Sequence, residues 1–163
     1  MNVQQAIRSA MNFSDAVLLA YLADLNDADL LERPGPGCNH LAYQLGHLIV
    51  SEGQLLAILG TEKAVSLPAG FAERHTKEHA ASDDPAQFCT KQEYLDLFAA
   101  SRAAAAAALE ELSAEDLDQP SPENFRSFVP TIGDLMLLVA NHPLMHAGQF
   151  VPVRRRLGKP VVM

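Results

Sequence analysis

The sequence predicts an all-α fold, a four-helix bundle with a long crossover between the second and third helices. Three observations carry that expectation. Hydrophobic residues make up 48% of the chain and aromatic residues only 6%, and the apolar share is dominated by Ala and Leu, which favour helix over strand. Four stretches repeat apolar residues at helical spacing between helix start and stop signals. One long stretch without that periodicity separates the second from the third. At 163 residues the chain reads as one domain, residues 1–163, large enough to bury roughly two-thirds of its unfolded surface.

The first helix is expected from about Val3 to Leu25, with Ile7, Met11, Ser14/Val17, Leu18, Tyr21 and Leu25 on one face. Asn26 to Leu31 reads as a short turn, and Pro34-Gly35-Pro36-Gly37 breaks any helix. The second helix starts near Asn39 or His40, with Asn39 as the expected N-cap, and continues to about Leu59 before Gly60. It is apolar nearly all round, as a helix packed on several sides would be. Residues from Thr61 to Cys89 hold Pro68, Gly70 and Pro85 and form the crossover, with room for short helices.

Thr90-Lys91-Gln92-Glu93 is a capping box that opens the third helix, and the alanine run 103–108 sustains it to about Leu112. A weaker capping pattern at Ser113 predicts one short turn. The stretch from Asp118 to Pro130 is connection. The fourth helix begins after Pro130, with Thr131 as N-cap and Asp134 three residues on, and ends near Leu157 before Gly158. Pro143 and Pro152 lie inside it and take the usual hydrogen-bond partners from the Val139 and Gly148 carbonyls. The apolar stripe keeps its phase across Pro143, which favours one bent helix over a break at Asn141.

A net charge of −8 argues against a nucleic-acid or anionic-membrane partner. Lys and Arg gather in Arg154-Arg155-Arg156 and at Lys159. Either they face the negative end of a helix dipole or they form an anion-recognising patch. The two cysteines, Cys38 and Cys89, make no CxxC pair and suit a reduced, cytoplasmic setting. No signal-peptide pattern is visible at the N-terminus. The stretch from Ile132 to Val153 is long enough for a membrane span but holds Asp134, Asn141, two His and two Pro, which excludes one.

The chemistry concentrates at His142 and His146. Four residues is a little over one helical turn, so both imidazoles point the same way. They continue the core-facing series Leu135, Val139, His142, His146, Gln149, Val153. Three polar groups buried there cost on the order of 1–3 kcal/mol each unless something binds them, and a divalent metal would. With six histidines in the chain, chance supplies about 0.2 pairs at this spacing, so spacing alone does not decide. A second pair, His75 and His79, sits in a charged, aperiodic segment and reads as a solvated loop or short exposed helix.

Two histidines on one helix need a third ligand from elsewhere, since a catalytic zinc-like centre has three protein ligands and an open position. His40, His47, Glu52 and the His75/His79 pair are the candidates. His47 lies in the most apolar surroundings, where it is either a ligand or a core histidine bonded to a carbonyl. Gly46 beside it would let another helix or a ligand come close. His40 sits at the helix mouth, exposed or part of a cap.

Leu45-Gly46-His47 followed by Ser51-Glu52, with His142-Pro-Leu-Met-His146-Ala-Gly-Gln149 running into Arg155-Arg156-Leu157-Gly158-Lys159-Pro160, resembles the DinB/YfiT-like superfamily. The likeness spans the chain in helix order and crossover position. It implies a bacterial four-helix bundle in which His47, His142 and His146 hold a divalent metal ion, Zn²⁺, Ni²⁺ or a similar ion, since ligand softness allows several. The resemblance further implies metal-dependent transfer of a low-molecular-weight thiol to a small electrophile, thiol-dependent isomerisation, or hydrolysis. Glu52 and Gln149 would position the nucleophile or orient a ligand imidazole, unless Glu52 is a surface carboxylate or part of a bundle ion pair and Gln149 makes an interhelical hydrogen bond. A non-catalytic interaction module with structural histidines is the rival from another class. A homodimer through the apolar second helix is a further expectation.

Overall fold

The computed structural model describes residues 1–60 and 65–162; residues 61–64, the first four of the expected crossover, lie outside them. Seven α-helices and two short 3-10 turns occur among the described residues, and no strand does. The α-helices are α1 (Val3–Leu22), α2 (Asp27–Leu30), α3 (Leu41–Ala57), α4 (Phe71–Arg74), α5 (Lys91–Glu111), α6 (Ala114–Leu117) and α7 (Ile132–Arg156). The four long ones make the bundle. No helix among the described residues is long and apolar enough to cross a membrane.

The helix starts follow local chemistry. Capping boxes at Asn2/Gln5, Thr90/Glu93 and Thr131/Asp134 satisfy the first amides of α1, α5 and α7. The N-cap of α3 is not Asn39 but His40, whose Nδ1 accepts the Tyr43 amide at 3.0 Å. His40 is therefore a cap, and it is fully buried rather than exposed. Its other nitrogen lies 3.1 Å from the Ser82 carbonyl, which ties the crossover to the mouth of α3. The first helix ends at Leu22, short of Leu25, yet Leu25 is buried as its place in the apolar series required.

Side-chain bonds fix the helix directions. Ser14 Oγ donates to the Ala140 carbonyl at 2.5 Å and Arg154 Nη1 to the Tyr21 carbonyl at 2.7 Å, so α1 and α7 run parallel. Arg8 pairs with Glu110 and Asp15 with Arg102, so α5 runs against α1. Gln44 meets His146, and His47, later on α3, faces His142, earlier on α7, so α3 runs against α7. The second and third long helices are then parallel, and that arrangement requires a crossover along the length of the bundle.

Two apolar clusters fill the interior. One gathers Leu18, Leu22, Leu45, Leu48, Phe98 and Phe150. The other gathers Ile7, Met11, Leu56, Leu109, Leu135 and Met136. Between them, on α1, α3 and α5, lies a polar layer of Ser14, Glu52, Ser101 and Arg102, all buried. Arg102 Nη1 reaches Glu52 Oε2 at 2.5 Å and its Nε reaches Asp15 Oδ1 at 2.8 Å, while Ser101 Oγ donates to Glu52 Oε1 at 2.8 Å. Glu52 is thus a bundle ion pair. Desolvation pushes both the Glu52 and the Asp15 carboxyl above the usual carboxylate range, against the pull of Arg102.

Arg154, Arg155 and Arg156 lie in the last turn of α7, at the negative end of its dipole, and three of the four C-terminal cations are also engaged within the chain. Arg154 is buried and holds the Asp24 carboxylate at 2.5 Å, Arg156 holds Glu32 at 2.9 Å, and Lys159 donates to the Asp24 carbonyl at 2.5 Å. They fasten the end of α7 to the corner between α1 and α2.

A three-histidine cluster at the floor of a cleft

α7 is one continuous helix with Pro143 and Pro152 inside it. The Val139 carbonyl, which Pro143 cannot serve, accepts Arg102 Nη1 at 3.0 Å. An arginine from α5 therefore supplies the donor that proline lacks. His142 is not turned out of line: its Nε2 lies 3.1 Å from His146 Nε2.

From α3, His47 faces both. Its ring centroid is 5.6 Å from that of His142 and 5.6 Å from that of His146. One ligand atom from each of the three histidines can be chosen so that all lie within 4.8 Å of one another. Two nitrogens bound to one tetrahedral ion at about 2.0–2.1 Å stand roughly 3.3 Å apart. The His142–His146 pair already has that separation, and the whole set lies within 4.8 Å, so binding a shared ion draws His47 inward.

Hydrogen bonds select the tautomer. His146 Nδ1 is 3.1 Å from Gln44 Oε1 and 3.0 Å from Gln149 Oε1. The Gln44 amide is itself oriented, because its Nε2 donates to the Asn39 carbonyl at 2.8 Å. Two acceptors at Nδ1 place the proton there and leave the Nε2 lone pair aimed into the cluster. Ser51 Oγ lies 3.3 Å from His47 Nδ1. Burial pushes His142 and His146 down to about 4, with neighbouring histidines adding to the effect, and it lowers His47 as well. At neutral pH all three are neutral, as metal ligands must be. The donor set, its spacing and its protonation all fit a divalent cation.

Two of the three histidines, His47 and His146, line a cleft of about 1000 Å³ between α3, α7 and the crossover. Tyr43, Val50, Met145 and Pro152 give it apolar walls, and Lys77 is the cation among the residues that line it. His75 forms part of the wall, contrary to the solvated position its charged neighbours suggested. It is 3% exposed; its Nδ1 donates to the Phe71 carbonyl at 2.7 Å and its Nε2 accepts Tyr94 Oη at 2.8 Å. Gly46 makes this possible, since a Cβ there would stand 1.9 Å from the His75 ring. His79 is exposed, as expected.

The structure thus brings together His47, His142, His146 and Gln149, and sets apart Glu52, His40 and the His75/His79 pair. Gln44 was not foreseen. Its signal was a polar residue one helical turn before His47 in an otherwise apolar helix. Arg102 was missed because the alanine run around it reads only as propensity.

No curated protein sequence matches the chain. Among solved structures, a conserved protein from Enterococcus faecalis superposes with a TM-score of 0.72 at 22% identity, covering 98% of this chain and 99% of that one. At that identity the likeness speaks for the fold. The family model of the DinB superfamily matches residues 10–150, a span that contains α3, the crossover, α5 and all three clustered histidines. The chain belongs to the DinB superfamily.

Proposed function

We propose that the protein is a metal-dependent transferase joining a low-molecular-weight thiol to a small electrophile, with His47, His142 and His146 as ligands of a Zn²⁺ or Ni²⁺ ion. The observation that carries this reading is the cluster of neutral imidazoles at the floor of a roomy cleft. Small-molecule sites typically occupy about 300–1,000 Å³, so a cleft at the top of that range has room for two substrates side by side. A divalent cation held by three neutral ligands keeps its charge and lowers the pKa of a thiol or water beside it.

The chain's own groups do the rest. Gln44 and Gln149 hold the His146 ring in the tautomer that offers Nε2 inward. Tyr43, Val50 and Met145 present apolar surface to an electrophile and exclude water from one side of it. Glu52 is committed to Arg102 and Ser101, so the thiol proton leaves through the open cleft rather than to that carboxylate. The new bond forms between sulfur and the electrophilic carbon, whose leaving group departs with the bonding pair. A net charge of −8 keeps nucleic acid out of the proposed partner set, and the reading places the reaction in the cytoplasm.

The test incubates metal-loaded, tag-free protein with an activated electrophile, with and without added thiol. Conjugation that needs the thiol and vanishes in His146→Ala supports the reading. Turnover of activated esters without any thiol replaces it with a hydrolase. No turnover and no change in thermal stability with metal leaves a helical interaction module.

A further inference from the structure

Tyr43 precedes His47 by four residues on α3, so both side chains leave the same face of the helix. Their rings lie parallel, with an interplanar angle of 1° and centroids 6.3 Å apart. Tyr43 is only 4% exposed, yet it lines the cleft. Its backbone amide is bonded to His40 Nδ1, whereas its hydroxyl has no hydrogen-bond partner among the described residues. A buried tyrosine normally spends its hydroxyl on a partner. Tyr94 does so, donating to His75 Nε2 at 2.8 Å. The ring of Tyr43 already does the packing, edge-on to His40 and tilted against His75. A phenylalanine would pack the same way. The hydroxyl is left for what enters the cleft.

The polar groups around it are committed elsewhere. Gln44 and Gln149 turn their oxygens to His146. His75 uses both ring nitrogens within the wall, and Glu52 is held by Arg102 and Ser101. Tyr43 thus stands beside His47 as a donor whose proton is uncommitted. A phenol has an ordinary pKa of about 10, so it keeps that proton at neutral pH and offers it to an oxygen. The imidazoles serve the nucleophile in the reaction proposed above. The hydroxyl is placed for the electrophile.

We infer that Tyr43 is a catalytic residue whose hydroxyl serves the oxygen leaving group of an epoxide electrophile. This rests on the transferase reading above and names the substrate class of the same site. Sulfur bonds to one ring carbon as the carbon–oxygen bond breaks, and the bonding pair goes to oxygen. The oxygen takes the Tyr43 proton and becomes a hydroxyl on the adjacent carbon. Tyr43 regains a proton from water in the cleft, which has received the one the thiol gave up. The net change is addition of the thiol across the ring. An alkoxide leaves poorly without a donor, and a positioned one contributes about 10²–10⁴-fold. A halide departs into water without such help, so the hydroxyl selects epoxides over alkyl halides.

Styrene oxide and benzyl chloride, each offered with 2-mercaptoethanol to the metal-loaded full chain, separate the two kinds of leaving group. Tyr43→Phe is expected to lower the ratio of epoxide to chloride kcat by about 100-fold or more, with unchanged helical circular dichroism. A second readout needs neither metal nor turnover. Acetophenone bound to the metal-free chain shows its carbonyl stretch at lower frequency in wild type than in Tyr43→Phe, because the phenol donates to that oxygen. Equal frequencies, no bound band in either chain, or a kcat ratio that Tyr43→Phe leaves unchanged each overturn the inference alone. So does a wild-type chain that conjugates the chloride but not the epoxide. A chain that conjugates neither overturns the transferase reading, and this assignment with it.

Discussion

Replacing Arg102 by Met removes three contacts at once, and the structure allows the loss to be sized. The Glu52 carboxylate is 2% exposed and loses its cation at 2.5 Å; breaking a buried pair from one side costs about 3–5 kcal/mol. The Val139 carbonyl loses the donor at 3.0 Å that replaces the missing Pro143 amide, a further ~1–3 kcal/mol if nothing fills the gap. Relief through protonation of Glu52, whose pKa burial already raises, returns part of this. A net loss of about 3–5 kcal/mol corresponds to a fall in Tm of roughly 10 °C for a chain of this size.

The effect carries a sign in pH. A carboxyl whose folded pKa lies above its unfolded value binds more protons in the native state, so stability falls as pH rises through that window. Removing Arg102 lifts the Glu52 pKa further, so Arg102→Met is closer to wild type at pH 5 than at pH 8. Adding Glu52→Gln removes the stranded charge and recovers most of the loss. Urea unfolding of the single and double variants at both pH values is the assay. A single variant within about 1 kcal/mol of wild type, or a double variant no better than the single, would refute the reasoning.

Gln44→Ala and Gln149→Ala each release the His146 ring and weaken metal affinity by about 10–100-fold without unfolding the chain, measured by competition with a chelating dye. Gly46→Ala puts a methyl group into the His75 ring and displaces α4 at a cost of about 1–3 kcal/mol; faster proteolysis between residues 61 and 89 reports it. His142 and His146 are held down at about 4, so the unfolded chain takes up protons first as pH falls. The two imidazoles therefore withdraw stability from the metal-free protein from about pH 6.5 toward 4; a stability difference from a His142→Gln/His146→Gln variant that does not change over that range contradicts the assignment of neutral, buried imidazoles.

Periodicity and caps made the bundle legible. Thr90, Thr131 and the Leu135–Val153 series state where helices start and which face turns inward, because those signals are local. The site was half legible. His142 and His146 share a helix face and could be read from spacing, whereas His47 sits in a helix apolar on every side and required the family resemblance. What escaped was everything set by contacts between distant parts of the chain. His75 has charged neighbours in sequence, but Gly46 and Tyr94 make a pocket for it. For Glu52 the sequence left a surface carboxylate, a bundle ion pair and a nucleophile-positioning group open, and Arg102, 50 positions later, makes it the ion pair. Asn39 and His40 are both able to cap, and the Ser82 carbonyl on the crossover holds His40 in place.

X-ray absorption spectroscopy of tag-free protein loaded with one equivalent of Zn²⁺ or Ni²⁺ bears most directly on whether these imidazoles share a cation. The account predicts one ion per chain with three imidazole scatterers at about 2.0–2.1 Å, and loss of the bound ion in His146→Ala. Protein that takes up no metal, or a His146→Ala variant that keeps full occupancy with an unchanged spectrum, would contradict it.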